Sequence, residues 1–158
     1  MIARADHHLS LYVPSRTRRG RRSHRGVTPD AMVTVAVNFF AREFGGATVV
    51  QGEGHHWQET PPHQTRERVH IVSAFATRTA LRRQLRTLKE LAADFCVRFD
   101  QQSVAYEIDG IFRLVIPPAS YIARNRWLRA WSPRARGGPT RAWMRYAVAE
   151  KKSRQQRG

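Results

Sequence analysis

Apolar residues between positions 9 and 116 alternate between a period of two and a period of three to four, and this alternation constrains the fold most. A period of two is typical of a β-strand with one buried face, and a period near 3.6 is typical of an amphipathic helix. Along the chain, the periods predict strand, helix, strand, strand, helix and strand, followed by a fifth strand. The predicted strands are residues 9–13, 47–51, 67–76, 103–108 and 111–116.

Local signals mark the ends of the two predicted helices. Thr28-Pro29-Asp30 combines an N-cap residue, a proline at the first helical position and an acid in the first turn. Gly45-Gly46 ends this helix, because glycine adopts the left-handed backbone at a C-terminus. Either Thr77 or Thr79 caps the second helix, whose apolar stripe continues to Phe99.

Two connections complete the predicted topology. Residues 52–64 contain two Gly and two Pro, so we interpret them as a loop or an irregular hairpin connection. Asp109-Gly110 predicts a type I′ turn that pairs the fifth strand back on the fourth. The predicted class is α+β: a ferredoxin-like βαββαβ antiparallel sheet with two helices on one face and the other face open, plus a terminal β-hairpin arm.

The excess positive charge lies outside the segment that is predicted to fold. Of the net charge of +16, residues 1–26 carry +6, residues 27–116 carry zero and residues 117–158 carry +10. We therefore predict one ferredoxin-like domain over residues 7–116 that contains an Arg-rich loop at 14–26. A basic, Trp-containing and partly disordered C-terminal extension follows it.

The composition of the basic segments favours nucleic-acid binding. Arg makes bidentate contacts with phosphates, and Trp offers a surface on which bases stack. GC-rich coding, a solubilising role or the docking of an acidic protein would also account for such segments. We predict a non-enzymatic protein that binds RNA or DNA through the loop and the extension. The predicted contacts are Arg18, Arg19, Arg21, Arg22, Arg124, Arg126, Trp127, Arg129, Trp131, Arg134 and Arg136.

Five short segments follow one another in a distinctive order. They are Leu11-Tyr12-Val13-Pro14, Phe44-Gly45-Gly46-Ala47-Thr48, Gly54 with Trp57, Glu67, and Gln102-Ser103-Val104. In this order, the chain resembles small uncharacterised bacterial proteins of ferredoxin-like fold, a domain-of-unknown-function family. The resemblance covers about residues 9–109 and implies the fold and a bacterial origin, without an activity. The chain departs from it in the Arg-rich insert 16–25 and in His55-His56.

An enzyme is the less favoured alternative. Glu67, His70 and Glu107 lie on predicted strands and could converge on the open sheet face for acid–base or metal-dependent chemistry. The seven histidines lack the spacings of metal ligands, so we predict no metal site and no cofactor. Cys96 stands alone, which excludes an intramolecular disulfide, and we expect it to be buried and unreactive.

The open sheet face suggests a further alternative, a protein-interaction module that forms a homodimer through this face. No run of 18 apolar residues occurs, so we expect no transmembrane helix and no membrane partner. A single cysteine fits a reducing compartment, and the predicted location is the cytoplasm.

Overall fold

The computed structural model describes residues 5–15 and 29–125 of the chain. Their strands form one sheet in which every pairing is antiparallel, and three helices accompany it. The elements are β1 (His7–Pro14), α1 (Pro29–Phe44), β2 (Thr48–Glu59), β3 (Pro62–Ala76), α2 (Arg78–Phe99), β4 (Val104–Ile108), β5 (Ile111–Val115) and α3 (Ala119–Arg124). The sheet order is β2-β3-β1-β4-β5. The predicted α+β class with an antiparallel sheet is confirmed at this level.

The central strand β1 divides the molecule into a helix side and an open side. Leu9, Leu11 and Val13 have no exposed surface, because they face α1 and α2. Ser10 and Tyr12 alternate with them and therefore point to the opposite side of the sheet. The core that the helices close over β1 also includes Met32, Val35, Phe39, Phe40, Val72, Leu88, Leu91, Phe95, Phe99 and Tyr106.

Helix α2 begins at one of the two predicted caps. The Thr77 hydroxyl accepts a hydrogen bond from the Ala80 N–H at 3.2 Å. This bond gives a partner to one of the backbone N–H groups of the first turn, which have no acceptor within the helix. The helix ends at Asp100, whose φ of 52° gives the left-handed cap, and the backbone N–H of Asp100 bonds to the last turn.

The C-terminal half of α2 is buried on all sides. Residues 91–99 are buried, because the sheet lies on one side of the helix and other parts of the chain cover the rest. Helix α3 is one of these parts: the Tyr121 hydroxyl donates a hydrogen bond to Asp94 at 2.5 Å. Part of the segment assigned to the extension therefore packs on the predicted domain, although the boundary at residue 116 itself stays a prediction.

The segment predicted as a loop is a long β-hairpin. β2 and β3 pair without interruption from Thr48 with Ser73 to Glu59 with Pro62. β1 pairs with β3 only as far as Val69, so the outer part of the hairpin has no other strand beside it. Two glycines and two prolines within 13 residues suggested a loop, but the prolines lie at the turn and the glycines within the ladder.

The open side of the sheet carries exposed apolar side chains. They are Val50, Phe75, Phe112 and Leu114, each more than half exposed. Their register partners place them on the same side as Ser10 and Tyr12. None of the helices within residues 5–15 and 29–125 is long and apolar enough to cross a membrane.

Candidate active site

Three polar side chains lie on the open side of the sheet, each placed there by the two-residue period of its strand. Tyr12 alternates with the buried residues of β1, and Glu107 of β4 is the register partner of Ser10. Glu67 of β3 has the same parity as Val69, the partner of Pro14. The antiparallel register therefore gathers residues that are 40 to 95 positions apart in the chain.

A cavity of about 170 Å³ opens on this side, next to the end of β1. Its wall combines four strands with the connection that precedes β4. The lining residues are Tyr12, Pro14, Gly54, Glu67, Val69, Gln101, Ser103, Val104 and Ala105. Glu67 is half-buried, and its Oε1 atom is shielded from solvent. The site thus offers a carboxylate, a tyrosine ring, and the amide and hydroxyl groups of Gln101 and Ser103.

Two glycines of β2 lie on the open side of the sheet, and Gly54 leaves space open beside Glu67. Gly54 is the register partner of Glu67, and Gly52 is the partner of Val69. A Cβ at Gly52 would contact Val69 Cγ1 at 3.5 Å and Ile71 Cδ1 at 3.6 Å. A side chain at Gly54, which lines the cavity, would extend over the same side of the sheet and narrow the cavity.

Tyr12 is held at the cavity wall by residues of two other strands. Its hydroxyl donates a hydrogen bond to Glu107 Oε2 at 3.0 Å. Its ring meets Phe112 of β5 edge to face, with 5.6 Å between the ring centroids and 69° between the ring planes. Burial raises the pKa of Tyr12, and the hydrogen bond and negative charge of Glu107 raise it further. Tyr12 is therefore a neutral hydroxyl at neutral pH.

The structure separates the three residues suggested for acid–base chemistry. Glu67 and Glu107 lie on the open side, whereas His70 lies on the helix side as the register partner of Val13 and Gln51. The His70 Nε2 atom is 3.4 Å from the Gln51 side-chain nitrogen. The predicted convergence is wrong, because positions 67 and 70 differ by an odd number and must face opposite sides of one strand.

Two further groups of polar side chains in the described part of the chain bind each other, and none of their members lines the cavity. His7 Nδ1 lies 2.6 Å from Asp109 Oδ2. Glu53 contacts His55 Nε2 at 2.7 Å and Arg66 Nε at 2.5 Å. Within residues 5–15 and 29–125, no group of three or more His, Cys, Asp or Glu side chains is placed to hold a metal ion.

The residues predicted to bind nucleic acid lie almost wholly outside the described part of the chain. Arg124 is exposed at the end of α3. The other ten predicted contacts, from Arg18 to Arg22 and from Arg126 to Arg136, fall outside it. Sequence reasoning assigned no role to Tyr12, Gln101 or Ser103. The one signal in the sequence that could have placed Tyr12 on the open side is its alternation with the apolar residues Leu11 and Val13 along the strand.

Comparisons with known proteins find a likeness in structure alone. No protein-family model matches the chain, and no curated protein matches it. A phage SAM lyase solved in complex with S-methyl-5′-thioadenosine is 16% identical, with a TM-score of 0.50 over 74% of this chain and 94% of the lyase. A phage SAM lyase in its apo state is 18% identical, with a TM-score of 0.47 over 74% of this chain and 96% of that one.

The likeness corrects two predictions about function. The chain was predicted to be a non-enzymatic nucleic-acid-binding protein, and an enzyme was considered less favoured. Both predictions are wrong, because the chain has the fold of an enzyme, the phage SAM lyase. The error arose because charge was the strongest signal in the sequence, and charge lies mainly outside residues 27–116. The predicted bacterial family resemblance stays a prediction.

Proposed function

We propose that this chain is an enzyme that cleaves S-adenosylmethionine at its sulfonium and releases S-methyl-5′-thioadenosine. The observation that carries the proposal is the cavity with Glu67 and Tyr12 in its wall, within a fold similar to that of a phage SAM lyase. A concave site with a few convergent polar groups is the usual location of an active site. The half-buried carboxylate of Glu67 is the charged group in its lining.

The size of the cavity limits how such a ligand binds. Sites for small molecules usually enclose about 300–1,000 Å³, and this cavity has about 170 Å³. It therefore takes part of a thionucleoside, and the remainder lies along the open side of the sheet. Gly54, which lines the cavity, leaves that surface free of a side chain beside Glu67.

The chemistry needs few groups from the protein. When the bond between sulfur and the aminocarboxypropyl carbon breaks, both electrons move to the sulfonium, and a neutral thioether leaves. The leaving group needs no proton, so no general acid is required. The carbon side requires attack by a nucleophile or loss of a neighbouring proton, and a carboxylate such as Glu67 can assist either step.

The test is conversion of S-adenosylmethionine by the full chain, followed by chromatography and mass detection of S-methyl-5′-thioadenosine. Glu67→Gln keeps the size of the side chain and removes its charge. We expect kcat/KM to fall by about 10²- to 10⁴-fold, the usual contribution of a group that assists proton transfer.

Glu59→Gln is the matched control for this experiment. Glu59 is exposed near the turn of the same hairpin and lies outside the cavity lining. Its activity is expected to stay within about twofold of the native chain, as for most surface substitutions. The proposed reaction is overturned if the native chain forms no S-methyl-5′-thioadenosine, and the role of Glu67 is overturned if both variants retain full activity.

We also propose that β1 to β4 with α1 and α2 form a ferredoxin-like βαββαβ core, to which β5 adds an edge strand. The central position of β1 between β3 and β4 supports this assignment, as does the packing of α1 and α2 on one side. Long-range nuclear Overhauser contacts of β1 with both β3 and β4 are expected, and their absence would overturn the assignment.

A second copy of the chain is the partner that the open side favours. We propose a homodimer through this side, since Val50, Phe75, Phe112 and Leu114 leave large apolar groups exposed there. A cytoplasmic location belongs to the same proposal, and the single unpaired cysteine supports it.

A further inference from the structure

Tyr12 joins three strands of the sheet at the cavity wall. It belongs to β1, its hydroxyl donates to Glu107 of β4, and its ring edge contacts Phe112 of β5. Glu107 is the register partner of Ser10, so Tyr12 and Glu107 are diagonal neighbours on the same side of the sheet. Diagonal neighbours in an antiparallel pair are within reach of long and aromatic side chains.

These two contacts fix both ends of the Tyr12 side chain. A tyrosine side chain has only two main rotations, and here the hydroxyl and the ring are each held by a different strand. The hydrogen bond has a carboxylate as acceptor, which makes it stronger than a bond between neutral groups. The ring is therefore in position before a ligand arrives, and little conformational entropy is lost on binding.

The same hydrogen bond decides what Tyr12 offers to a ligand. The hydroxyl proton is donated to the hydrogen bond with Glu107, and the raised pKa of Tyr12 keeps the hydroxyl neutral. The part of the side chain that remains for recognition is the aromatic ring. An aromatic ring at a cavity wall suits another flat aromatic group, and nucleobases stack on tyrosine rings.

Glu107 contributes indirectly, since it is absent from the cavity lining and contacts Tyr12 from the next strand. We propose that Tyr12 is the stacking surface for the purine of the nucleoside, and that Glu107 is a positioning residue that holds the ring in place. This assignment rests on the proposed function for its ligand, and it adds the base-recognition element of the site.

Binding of adenosine and of S-methyl-5′-thioadenosine to the full chain, measured by calorimetry, tests the stacking surface. Tyr12→Leu is expected to weaken both by at least about tenfold, within the range measured for the loss of base–aromatic stacking. Tyr12→Phe keeps the ring and is expected to lose about two- to fivefold. Uridine is the ligand control, and its binding is expected to be weaker than that of adenosine, since its ring system is smaller.

Absorbance titration of tyrosinate in the ligand-free chain tests the positioning role. Glu107→Ala is expected to lower the pKa of Tyr12 towards its ordinary value, because the hydrogen bond and the negative charge both disappear. Glu107→Gln keeps an acceptor oxygen and is expected to restore much of the nucleoside affinity that Glu107→Ala loses. Glu59→Ala, a change of the same type outside the site, is expected to alter neither the pKa nor the affinity.

Phe112→Ala provides a second test of the positioning of Tyr12 if a variant of Tyr12 or Glu107 fails to fold. Phe112 is 57% exposed and lies outside the cavity lining, so its replacement removes the second ring contact and leaves the lining itself unchanged. We expect about a two- to fivefold loss of adenosine affinity from this variant, with the thermal unfolding midpoint close to that of the native chain.

The outcomes separate this inference from the proposed function. If the native chain cleaves S-adenosylmethionine and Tyr12→Leu leaves both the nucleoside affinity and KM unchanged, the inference is overturned and the proposed function stands. Adenosine binding that depends on Tyr12, in a chain that cleaves nothing, supports the inference and overturns the proposed reaction. A native chain that binds neither nucleoside overturns both.

Discussion

Cys96 shows how its surroundings set the chemistry of a single residue. It is 2% exposed in α2, and its thiol points to the Val115 carbonyl at 3.5 Å. Burial raises the pKa of the thiol to about 12. The residue is thus buried, as the sequence predicted.

The pKa of Cys96 leads to a prediction for thiol chemistry. The native chain is expected to react with a disulfide reagent at neutral pH at least about a thousandfold more slowly than a model thiol, because so little thiolate is present. The rate is expected to rise about tenfold per pH unit in the alkaline range while the fold persists. Release of the chromophore, with the denatured chain as control, measures it; fast reaction of native protein would contradict the raised pKa.

The sequence could predict on which face of its strand a residue lies. It could not predict which residues of other strands that residue contacts. The sequence suggested that Glu67, His70 and Glu107 converge, although the two-residue period excludes His70 from the side of Glu67. The period also places Tyr12 away from Leu11 and Val13. That Tyr12 meets Glu107 depends on the register of β1 against β4, which no local pattern specifies.

At the scale of elements, a matched pair of variants tests how much the N-cap residue of α2 contributes to stability. Thr77→Ala removes the hydroxyl that accepts from the Ala80 N–H, and it is expected to lower the free energy of unfolding by about 1 kcal/mol. Thr79→Ala removes the same atoms from an exposed position inside the first turn. It is expected to change the stability by less than about 0.5 kcal/mol.

Denaturant unfolding followed by circular dichroism measures both variants. Equal losses of stability from the two variants would show that the cap hydrogen bond contributes nothing of its own. The sequence left Thr77 and Thr79 open as alternatives, since both are good N-cap residues two positions apart. The structure selects Thr77, because α2 begins at Arg78.

The β2–β3 hairpin shows the limit of local signals for an element. Glycine and proline are the strongest indicators of loops, and they led to the interpretation of residues 52–64 as a connection. The ladder nevertheless continues to Glu59 and Pro62, because paired backbones satisfy each other's hydrogen bonds wherever the residues permit it. Gly54 then serves a different purpose, since it leaves the open side free beside Glu67, whereas the side chains of Val69 and Ile71 lie over Gly52.

At the scale of the whole molecule, the proposed homodimer predicts the effect of a charge on the open side. Leu114 is 54% exposed and faces that side, whereas Ile111 is 57% exposed on the same strand and faces the other. Leu114→Glu is expected to weaken association at least about tenfold, because a charge would be buried without a partner. Ile111→Glu is the matched control and is expected to leave association unchanged.

Sedimentation equilibrium measures the association of these variants. The native chain is expected to show a mass near twice its 18.2 kDa. A monomer at all concentrations, or equal weakening by the two variants, would contradict an interface on the open side. The likeness to a phage SAM lyase concerns the fold of one chain and carries no argument about association.

The sequence by itself determined the order of the five strands with α1 and α2, the two sides of each strand and the concentration of charge outside residues 27–116, whereas α3 was not predicted. Each of these follows from neighbours in the chain: the periods of two and 3.6 are local, and net charge is a sum over a segment. The tertiary structure alone decided the cavity, the contact of Tyr12 with Glu107 and the space beside Glu67. These depend on the register between strands that are distant in the chain, which is fixed by burial of the whole helix-side core and not by any single segment.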